Sequence, residues 1–368
     1  MYLKSIGLTN FKNYLKAELN FSDKFICFTG NNGQGKTNLL DAIYYLSYTK
    51  SFVNINDISN IHHGQDFFRI IANFILDDNT HHEVKCIQKI NERKKIVVND
   101  KPRIKFAEHI GEFPIVIISP ADFFLLLQVS ADRRKFIDST ISQFNKKYLD
   151  SILQYNRVLF QRNKLLKAIF PHRGNYLSLL EPFDFKLIEH GTIIHDERKE
   201  FLKNFVPYFN DAYRNISKSN ENVDIIYDSE LNGENLENLL FKHIRKDIAL
   251  QHTTSGIHRD DFDFRINSYP LKKYGSQGQQ KTFLVSLKLA QHKYIFNQKN
   301  IIPLLLIDDI YDKLDANRVE HLFCLLDKGN YQQVFITDTQ QKRLEELFRN
   351  VENNRTFYNI CNDEIVKS

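Results

Sequence analysis

Hydrophobic residues follow two patterns along the chain, and together they predict an α/β protein. Continuous apolar runs that end in polar residues occupy positions 25–28, 114–119 and 302–307. Runs of this length are typical of buried strands. The stretch 37–46 instead has its apolar residues at helical spacing. A strand followed directly by a helix is therefore predicted near the start of the chain.

Shorter alternating segments predict further strands. Residues 1–28 predict two short strands joined by a polar turn at 10–16. Between about 51 and 119 the alternation of apolar and polar residues predicts a strand-rich lobe with a half-buried sheet. The predicted strands of this kind are 68–76, 83–90, 94–98, 223–227 and 262–266.

The middle of the chain predicts long helices. Residues 131–169 contain no Pro and no Gly, and their apolar residues recur at helical spacing. If unbroken, this helix is roughly 55–60 Å long. A break is expected at 171–174, followed by a second helical stretch at 182–216 that Pro207 should kink or interrupt.

These patterns predict two domains. The segments 1–119 and 221–368 together form an α/β head built from both ends of the chain, and 120–220 is an inserted, mostly helical arm or lid. Two long helices joined by a short turn make an antiparallel hairpin, which is the form we expect for the arm.

The segment after the first apolar run carries a phosphate-binding motif, G-x-x-x-x-G-K-[ST]. Its residues are Gly30, Asn31, Asn32, Gly33, Gln34, Gly35, Lys36 and Thr37. Glycines let backbone N–H groups form an anion-binding nest, Lys36 adds positive charge for the β- and γ-phosphates, and Thr37 offers a hydroxyl to Mg²⁺. A chance glycine-rich turn is the alternative, but the strand before the motif and the helix after it favour ATP binding.

The run at 302–307 ends in two carboxylates, Asp308 and Asp309. This is a Walker B pattern, in which the first acid holds Mg²⁺ and the second orients or deprotonates the attacking water. Asp309 and Lys36 are therefore predicted as catalytic residues, and Thr37 and Asp308 as metal ligands. The alternative is a pair of solvated acids where a strand leaves the core.

A third motif lies about 30 residues before the second. It consists of Ser276, Gln277, Gly278 and Gln279. With Walker A near one end of the chain and Walker B near the other, this order resembles the ABC-type ATPase heads of the SMC group. The resemblance implies that the Ser276 segment binds the γ-phosphate of a partner's ATP, so that ATP produces a homodimer, and that 312–315 contacts the partner. Thr337 and Asp338 stand where such heads usually carry a switch histidine, so no switch histidine is assigned.

Composition adds a mild basic character. Hydrophobic residues make up 42% and charged residues 26% of the chain, and the net charge is +5. Nucleic acid is thus permitted as a partner but not required. The cationic residues of the strand-rich lobe form either a solvated sheet face or part of a track for DNA phosphates. They are Arg93, Lys94, Lys95, Lys101 and Arg103, and a second candidate cluster is Arg133, Arg134 and Lys135.

Cysteine spacing and hydropathy suggest a cytoplasmic protein without a membrane partner. The four cysteines show no C-x-x-C spacing, and Cys27 and Cys324 lie in apolar patterns typical of reduced core thiols. The first residues run into an alternating strand and predict no signal peptide. No run of 18 apolar residues predicts a transmembrane helix.

The motifs taken together resemble the RecF family of bacterial SMC-like ATPases over essentially the whole chain. Besides the Walker motifs, the narrower segments Ser276–Gln280 and Gly256–Asp261 carry the resemblance. It implies a cytoplasmic recombination mediator that binds ATP with Mg²⁺, hydrolyses it slowly, and binds duplex DNA and gapped or single-stranded junctions. It further implies action with RecR and RecO at gaps and stalled forks, in repair, replication restart and SOS induction.

Two other functions are compatible with the Walker motifs. A chromosome-organising SMC protein would need a long heptad-bearing coiled coil between the Walker motifs, and the predicted helices are too short for that. The ATPase subunit of a membrane transporter would have a smaller insertion than the predicted arm. Both remain alternatives to the recombination mediator at this stage.

Overall fold

The computed structural model describes residues 1–54, 56–123, 129–169, 177–309, 316–361 and 364–367. Within these ranges the strands are β1 (Tyr2–Phe11), β2 (Tyr14–Asn20), β3 (Phe25–Thr29), β4 (Phe67–Ile75), β5 (His81–Lys89), β6 (Lys95–Val98), β7 (Lys101–Pro102), β8 (Ile115–Ile118), β9 (Val223–Asp228), β10 (Asp261–Ile266), β11 (Tyr269–Pro270), β12 (Leu304–Ile307), β13 (Val334–Asp338), β14 (Arg355–Cys361) and β15 (Glu364–Lys367). The helices are α1 (Lys36–Tyr48), α2 (Phe106–His109), α3 (Ser130–Ser142), α4 (Lys146–Ile169), α5 (Leu177–Ser217), α6 (Leu236–Leu250), α7 (Leu271–Tyr274), α8 (Gln277–Lys299), α9 (Ala316–Lys328) and α10 (Gln341–Leu347). The predicted break at 171–174 and the predicted partner loop at 312–315 lie outside the described residues.

The chain divides into two compact units. The first unit comprises Met1–Phe123, Asp211–Asn220 and Ser276–Ser368, and the second comprises Phe124–Asn210 and Glu221–Gly275. The second unit is therefore larger than the predicted arm, because residues 221–275 group with the helical segment and not with the head. The physical reason is strand pairing: β9, β10 and β11 form an antiparallel sheet of their own within the second unit.

A mostly parallel sheet organises the first unit. Its strand order is β15-β14-β3-β13-β12-β8, and only the edge strand β15 runs antiparallel to its neighbour. All residues of β3, β12 and β13 are buried, which explains their continuous apolar sequences. Because β12, β13 and β3 are parallel, their carboxyl ends meet at one edge of the sheet. Asp308, Thr337 and Gly30 are thereby brought to the same edge.

The second sheet of this unit is antiparallel, with strand order β2-β1-β4-β5-β6-β7. Strands β4 to β7 lie within 51–119, where the strand-rich lobe was predicted, and β1 and β2 from the start of the chain belong to the same sheet. The first 29 residues contain three strands where two were predicted. Helix α1 lies against it, and the ring centroids of Phe11 and Tyr45 lie 5.2 and 5.5 Å from that of Phe68. Edge-on aromatic contacts of this kind add to the stability that apolar burial provides.

The helices of the second unit differ from the prediction in two places. The stretch predicted as one helix at 131–169 is two helices, α3 and α4. Asn145 explains the break, because its side-chain oxygen accepts a hydrogen bond from the backbone N–H of Tyr148 at 2.9 Å and caps α4. Helix α5 is continuous over 41 residues and contains Pro207, so this proline does not interrupt it, and of the two predicted effects only a kink stays a prediction.

In the ranges described above, no helix is both long enough and apolar enough to cross a membrane.

Candidate active site

The loop between β3 and α1 needs glycine for steric reasons. Gly30, Gly33 and Gly35 have φ angles of 143°, 81° and 99°, which L-residues rarely adopt. A Cβ atom on Gly30 would overlap the carbonyl oxygen of Ile360, and one on Gly35 would overlap the side chain of Asn13. The loop can therefore turn its backbone N–H groups toward the start of α1, where the helix adds positive potential.

Lys36 is buried at the start of α1. Its Nζ donates hydrogen bonds to the carbonyl oxygens of Gly30 at 2.8 Å and Asn31 at 2.9 Å. Burial lowers the pKa of Lys36, and the nearby carboxylates of Asp309, Asp308 and Asp338 oppose this shift. The amine is thus held over the loop, within the field of three acids.

The two Walker motifs touch through Thr37 and Asp308. The Thr37 hydroxyl lies 3.0 and 3.1 Å from the two carboxylate oxygens of Asp308. The backbone N–H of Asp308 donates to the carbonyl oxygen of Ile118 at 2.8 Å, which fixes the start of the acidic segment on the sheet. Burial raises the pKa of Asp308, while hydrogen bonds from Thr337 and Thr37 favour its charged form.

Thr337 is a site residue that the sequence reasoning missed. It is fully buried at the carboxyl end of β13, and its hydroxyl donates to Asp308 Oδ1 at 2.7 Å. The Thr337 hydroxyl oxygen also accepts a hydrogen bond from the backbone N–H of Asp309 at 3.0 Å. The available signal in the sequence was a polar residue at the end of an apolar strand, but apolar patterning does not show that this strand lies beside Walker B.

The residues present fit a magnesium ion shared with a nucleotide. Thr37 and Asp308 offer the hard oxygen donors that Mg²⁺ prefers, and proteins usually hold this ion through one or two such groups together with substrate phosphates. Burial also raises the pKa of Asp338, which lies near Asp309 and Lys36. A cation placed among these acids would stabilise their charged forms.

The Ser276 segment forms the N-terminus of α8. Ser276 Oγ accepts the backbone N–H of Gln279 at 3.2 Å, and the Gln279 side chain accepts the backbone N–H of Ser276 at 2.8 Å, which is a capping box. At Gly278 a Cβ atom would lie 2.6 Å from Nη1 of Arg318. The segment thus has a structural role as a helix cap, and Gly278 leaves room for an arginine beside it.

The cations of the predicted DNA track differ in exposure, and their contact with DNA stays a prediction. Lys94 is buried, and its Nζ donates to Asp57 at 2.6 Å and to the hydroxyl of Tyr45 at 3.0 Å, so it is an internal ion pair. Arg103 is half-buried against Glu112 at 2.8 Å. Lys95 pairs with Glu92 at 3.2 Å on the surface.

Two cations of this cluster, Arg93 and Lys101, remain candidates for contact with DNA phosphates. Both are exposed, and neither makes an ion pair within the described part of the chain. In the second cluster, Arg133 forms an ion pair with Asp261 at 2.8 Å, and Arg134 donates to the carbonyl oxygen of Asp260. These two arginines therefore fasten α3 to β10.

Comparison with known proteins gives one consistent family. The family described as RecF/RecN/SMC N terminal domain matches residues 2–359. A DNA replication and repair protein RecF from Flavobacterium johnsoniae is 43% identical over 360 residues, covering 98% of this chain and 100% of the relative. A protein of the same description from Bacteroides thetaiotaomicron is 41% identical over 351 residues, covering 95% and 94%.

Solved structures agree with this. The recombination mediator protein RecF-ATPrS in the RecFOR pathway has a TM-score of 0.90 at 31% identity, covering 100% of this chain and 98% of that one. An Smc head from Pyrococcus furiosus, with an extended coiled coil and bound to the C-terminal domain of ScpA, has a TM-score of 0.59 at 14% identity, covering 100% and 96%. At that identity the Smc head supports the fold alone.

A P-loop and a Walker B acid at one edge of a parallel sheet, with these structural matches, define an ABC-type ATPase head with a helical insertion. The predicted fold class is confirmed. Within this class, the chain belongs to the RecF family of DNA replication and repair proteins, and the resemblance inferred from the motifs is also confirmed.

Proposed function

We propose that this protein is an ATP-dependent DNA-binding recombination mediator that acts in the cytoplasm at single-strand gaps and stalled forks. Its activity is a slow hydrolysis of ATP to ADP and phosphate, in support of DNA repair, replication restart and SOS induction. The observation that carries the proposal is the contact between Thr37 and Asp308, because it joins the two ATPase motifs in one site. The RecF names of the relatives support the DNA role.

In this proposal each residue of the site has a defined task. The backbone N–H groups of Gly30–Gly35 and the amine of Lys36 bind the phosphates, and Thr37 and Asp308 hold Mg²⁺. When bound, Mg²⁺ neutralises charge on the β- and γ-phosphates. Asp309 orients or deprotonates the water that attacks the γ-phosphate.

The Ser276 segment acts on a second copy of the chain. We infer that the start of α8 faces the ATP of a partner subunit, so that ATP produces a homodimer. Support comes from the helix N-terminus and its capping hydroxyl, which together favour an anion. Hydrolysis then removes the γ-phosphate and releases the dimer. Two copies of a weakly basic surface on one DNA explain how a chain with a net charge of +5 binds nucleic acid.

RecR and RecO are the proposed protein partners. A solved relative at 31% identity is described as part of the RecFOR pathway, which supports this choice. The partner-binding surface is left unassigned, and no membrane partner is proposed.

The proposal is tested by measuring DNA binding in two nucleotide states. Fluorescence anisotropy on labelled gapped, duplex and single-stranded DNA is recorded with ATP and with ADP. We expect tighter binding with ATP and a preference for DNA that contains a duplex or a gap junction. Equal affinity with ATP and ADP on all three ligands would refute ATP-dependent DNA binding.

A further inference from the structure

The side chain of Thr337 connects both acids of the Walker B motif. Thr337 is fully buried, and strand pairing places its neighbour Ile336 opposite Ile307 in register. Its hydroxyl donates to Asp308 Oδ1 at 2.7 Å and accepts the N–H of Asp309 at 3.0 Å. A threonine hydroxyl has one proton to donate, so this proton is committed to the carboxylate.

The carboxylate of Asp308 is held from two sides. Thr37 contacts it from the start of α1, and Thr337 contacts it from the end of β13. Asp308 is only 3% exposed, so the surrounding protein and not water determines its orientation. Without the Thr337 hydroxyl, Thr37 alone would orient the group, and Thr37 is itself a proposed ligand of the metal.

The second contact acts on the backbone of Asp309. This residue has a φ of 47°, in the left-handed region that non-glycine residues rarely occupy. The Thr337 hydroxyl accepts a hydrogen bond from the backbone N–H of Asp309, and this nitrogen is one end of the N–Cα bond about which φ is measured. Because the backbone sets the direction of the Cα–Cβ bond, Thr337 helps to aim the Asp309 side chain.

We propose that Thr337 is a positioning residue for ATP hydrolysis, whose hydroxyl aims the Asp308 carboxylate at Mg²⁺ and fixes the backbone that carries Asp309. The inference rests on the proposed ATPase function and adds a residue to that site. Residues that orient a metal ligand typically change metal affinity or activity by about 10- to 100-fold when they are replaced.

Thr337→Val is the main test, because it keeps the shape of the side chain and removes the hydroxyl. Thr337→Ser keeps the hydroxyl. Thr356→Val is the matched control, since Thr356 is a buried threonine of the same sheet whose hydroxyl donates to the carboxylate of Asp23. It pairs with Ile26 and lies toward the opposite end of the strands from the site.

Four quantities are measured for each variant. They are ATP affinity in EDTA, binding of Mn²⁺ with ATP present by electron paramagnetic resonance, and the kcat and KM of hydrolysis. For Thr337→Val we expect parental ATP affinity in EDTA and a Mn²⁺ affinity about 10- to 100-fold lower. The KM for the metal–ATP complex should rise by the same factor, because metal and nucleotide binding are linked, and kcat should fall. Thr337→Ser should recover to within a few-fold of the parent, and Thr356→Val should match it.

The outcomes separate this inference from the proposed function. If the parent itself binds no ATP, the proposed function fails. If the parent is active and Thr337→Val keeps parental Mn²⁺ affinity and kcat, the positioning role is refuted. The role is also refuted if Thr337→Ser is as impaired as Thr337→Val, because packing and not the hydroxyl would then be responsible.

Discussion

The Thr37 hydroxyl lies 3.0 Å from one carboxylate oxygen of Asp308, although 271 positions separate the two residues in the chain. Thr37 stands at the start of a helix and Asp308 at the end of a strand, and the parallel sheet brings the two together. The contact makes one site out of motifs from both chain ends. A change at either residue should therefore affect the metal and the nucleotide together.

The first prediction concerns Lys36. Lys36→Ala should weaken ATP binding by about 10- to 100-fold, because a hydrogen bond to a charged group contributes about 1.5–3 kcal/mol. A titration with a fluorescent ATP analogue measures this. Lys16→Ala is the control, since the Lys16 side chain is 77% exposed on β2. Unchanged binding in Lys36→Ala would remove the phosphate-binding role of the loop.

The second prediction concerns the start of α8. Ser276→Arg should keep ATP binding and abolish the ATP-dependent dimer, because a bulky charged group replaces the hydroxyl that we propose faces the partner. Light scattering with and without ATP measures the mass. Ser276→Ala separates loss of the hydroxyl from the added bulk and charge. It should lower stability by about 1 kcal/mol through the lost helix cap and weaken the dimer less than Ser276→Arg does. A normal dimer in Ser276→Arg would leave this segment with its capping role alone.

The third prediction uses Arg93 and Lys101, the exposed cations of the predicted track that make no ion pair within the described residues. Arg93→Glu with Lys101→Glu should weaken binding to all DNA sequences alike and flatten the dependence of log affinity on log salt, at about 0.9 per lost phosphate contact. Fluorescence anisotropy on one duplex at several salt concentrations measures the slope. An unchanged slope in the double variant would move the DNA surface elsewhere.

Lys94→Met is the control for the double variant, because it removes a cation from the same lobe whose side chain is buried. Its amine is internal, and its loss leaves Asp57 without this partner. The variant should lose about 1–3 kcal/mol of stability and keep the parental salt slope.

The sequence predicted the strands and motifs well because both are local properties. Local sequence is enough to predict the phosphate-binding loop at Gly30–Thr37 and the buried strand before Asp308, because the residues that define each segment are close in the chain. The break between α3 and α4 depends on a side chain, Asn145, that competes with the helix backbone, and periodicity does not detect that. Lys94 and Thr337 acquire their roles only from distant partners, so the sequence could not separate a buried lysine from an exposed one.

The fourth prediction concerns pH. Burial lowers the pKa of His292 to about 4 from its ordinary 6.5, and its Nε2 lies 2.8 Å from the carbonyl oxygen of Pro303. Between these two pKa values the unfolded state binds more protons than the folded state. The neutral, buried His292 therefore costs the folded state no stability above pH 6.5, and stability is lost as pH falls from 6.5 toward 4. The parent should therefore lose about 2 kcal/mol more stability than His292→Gln between pH 7.5 and pH 4.5. Urea unfolding at both pH values measures the difference in the free energy of unfolding. Equal losses of stability in the parent and in His292→Gln would contradict the lowered pKa of His292.

The last prediction concerns Asp309, to which the account assigns the attacking water. Asp309→Asn keeps the shape of the side chain and removes its charge. Loss of a general base typically costs about 100-fold or more in rate. The variant should bind ATP like the parent and stay longer in the ATP-bound dimer, because the γ-phosphate is no longer removed.

The direct measurement is single-turnover hydrolysis of radiolabelled ATP by the parent and by Asp309→Asn, with ATP affinity determined on the same samples. The account predicts equal affinity and a rate in the variant that is lower by about 100-fold or more. Equal rates at equal affinity would contradict it, and would place the group that activates water outside the acids at the end of β12.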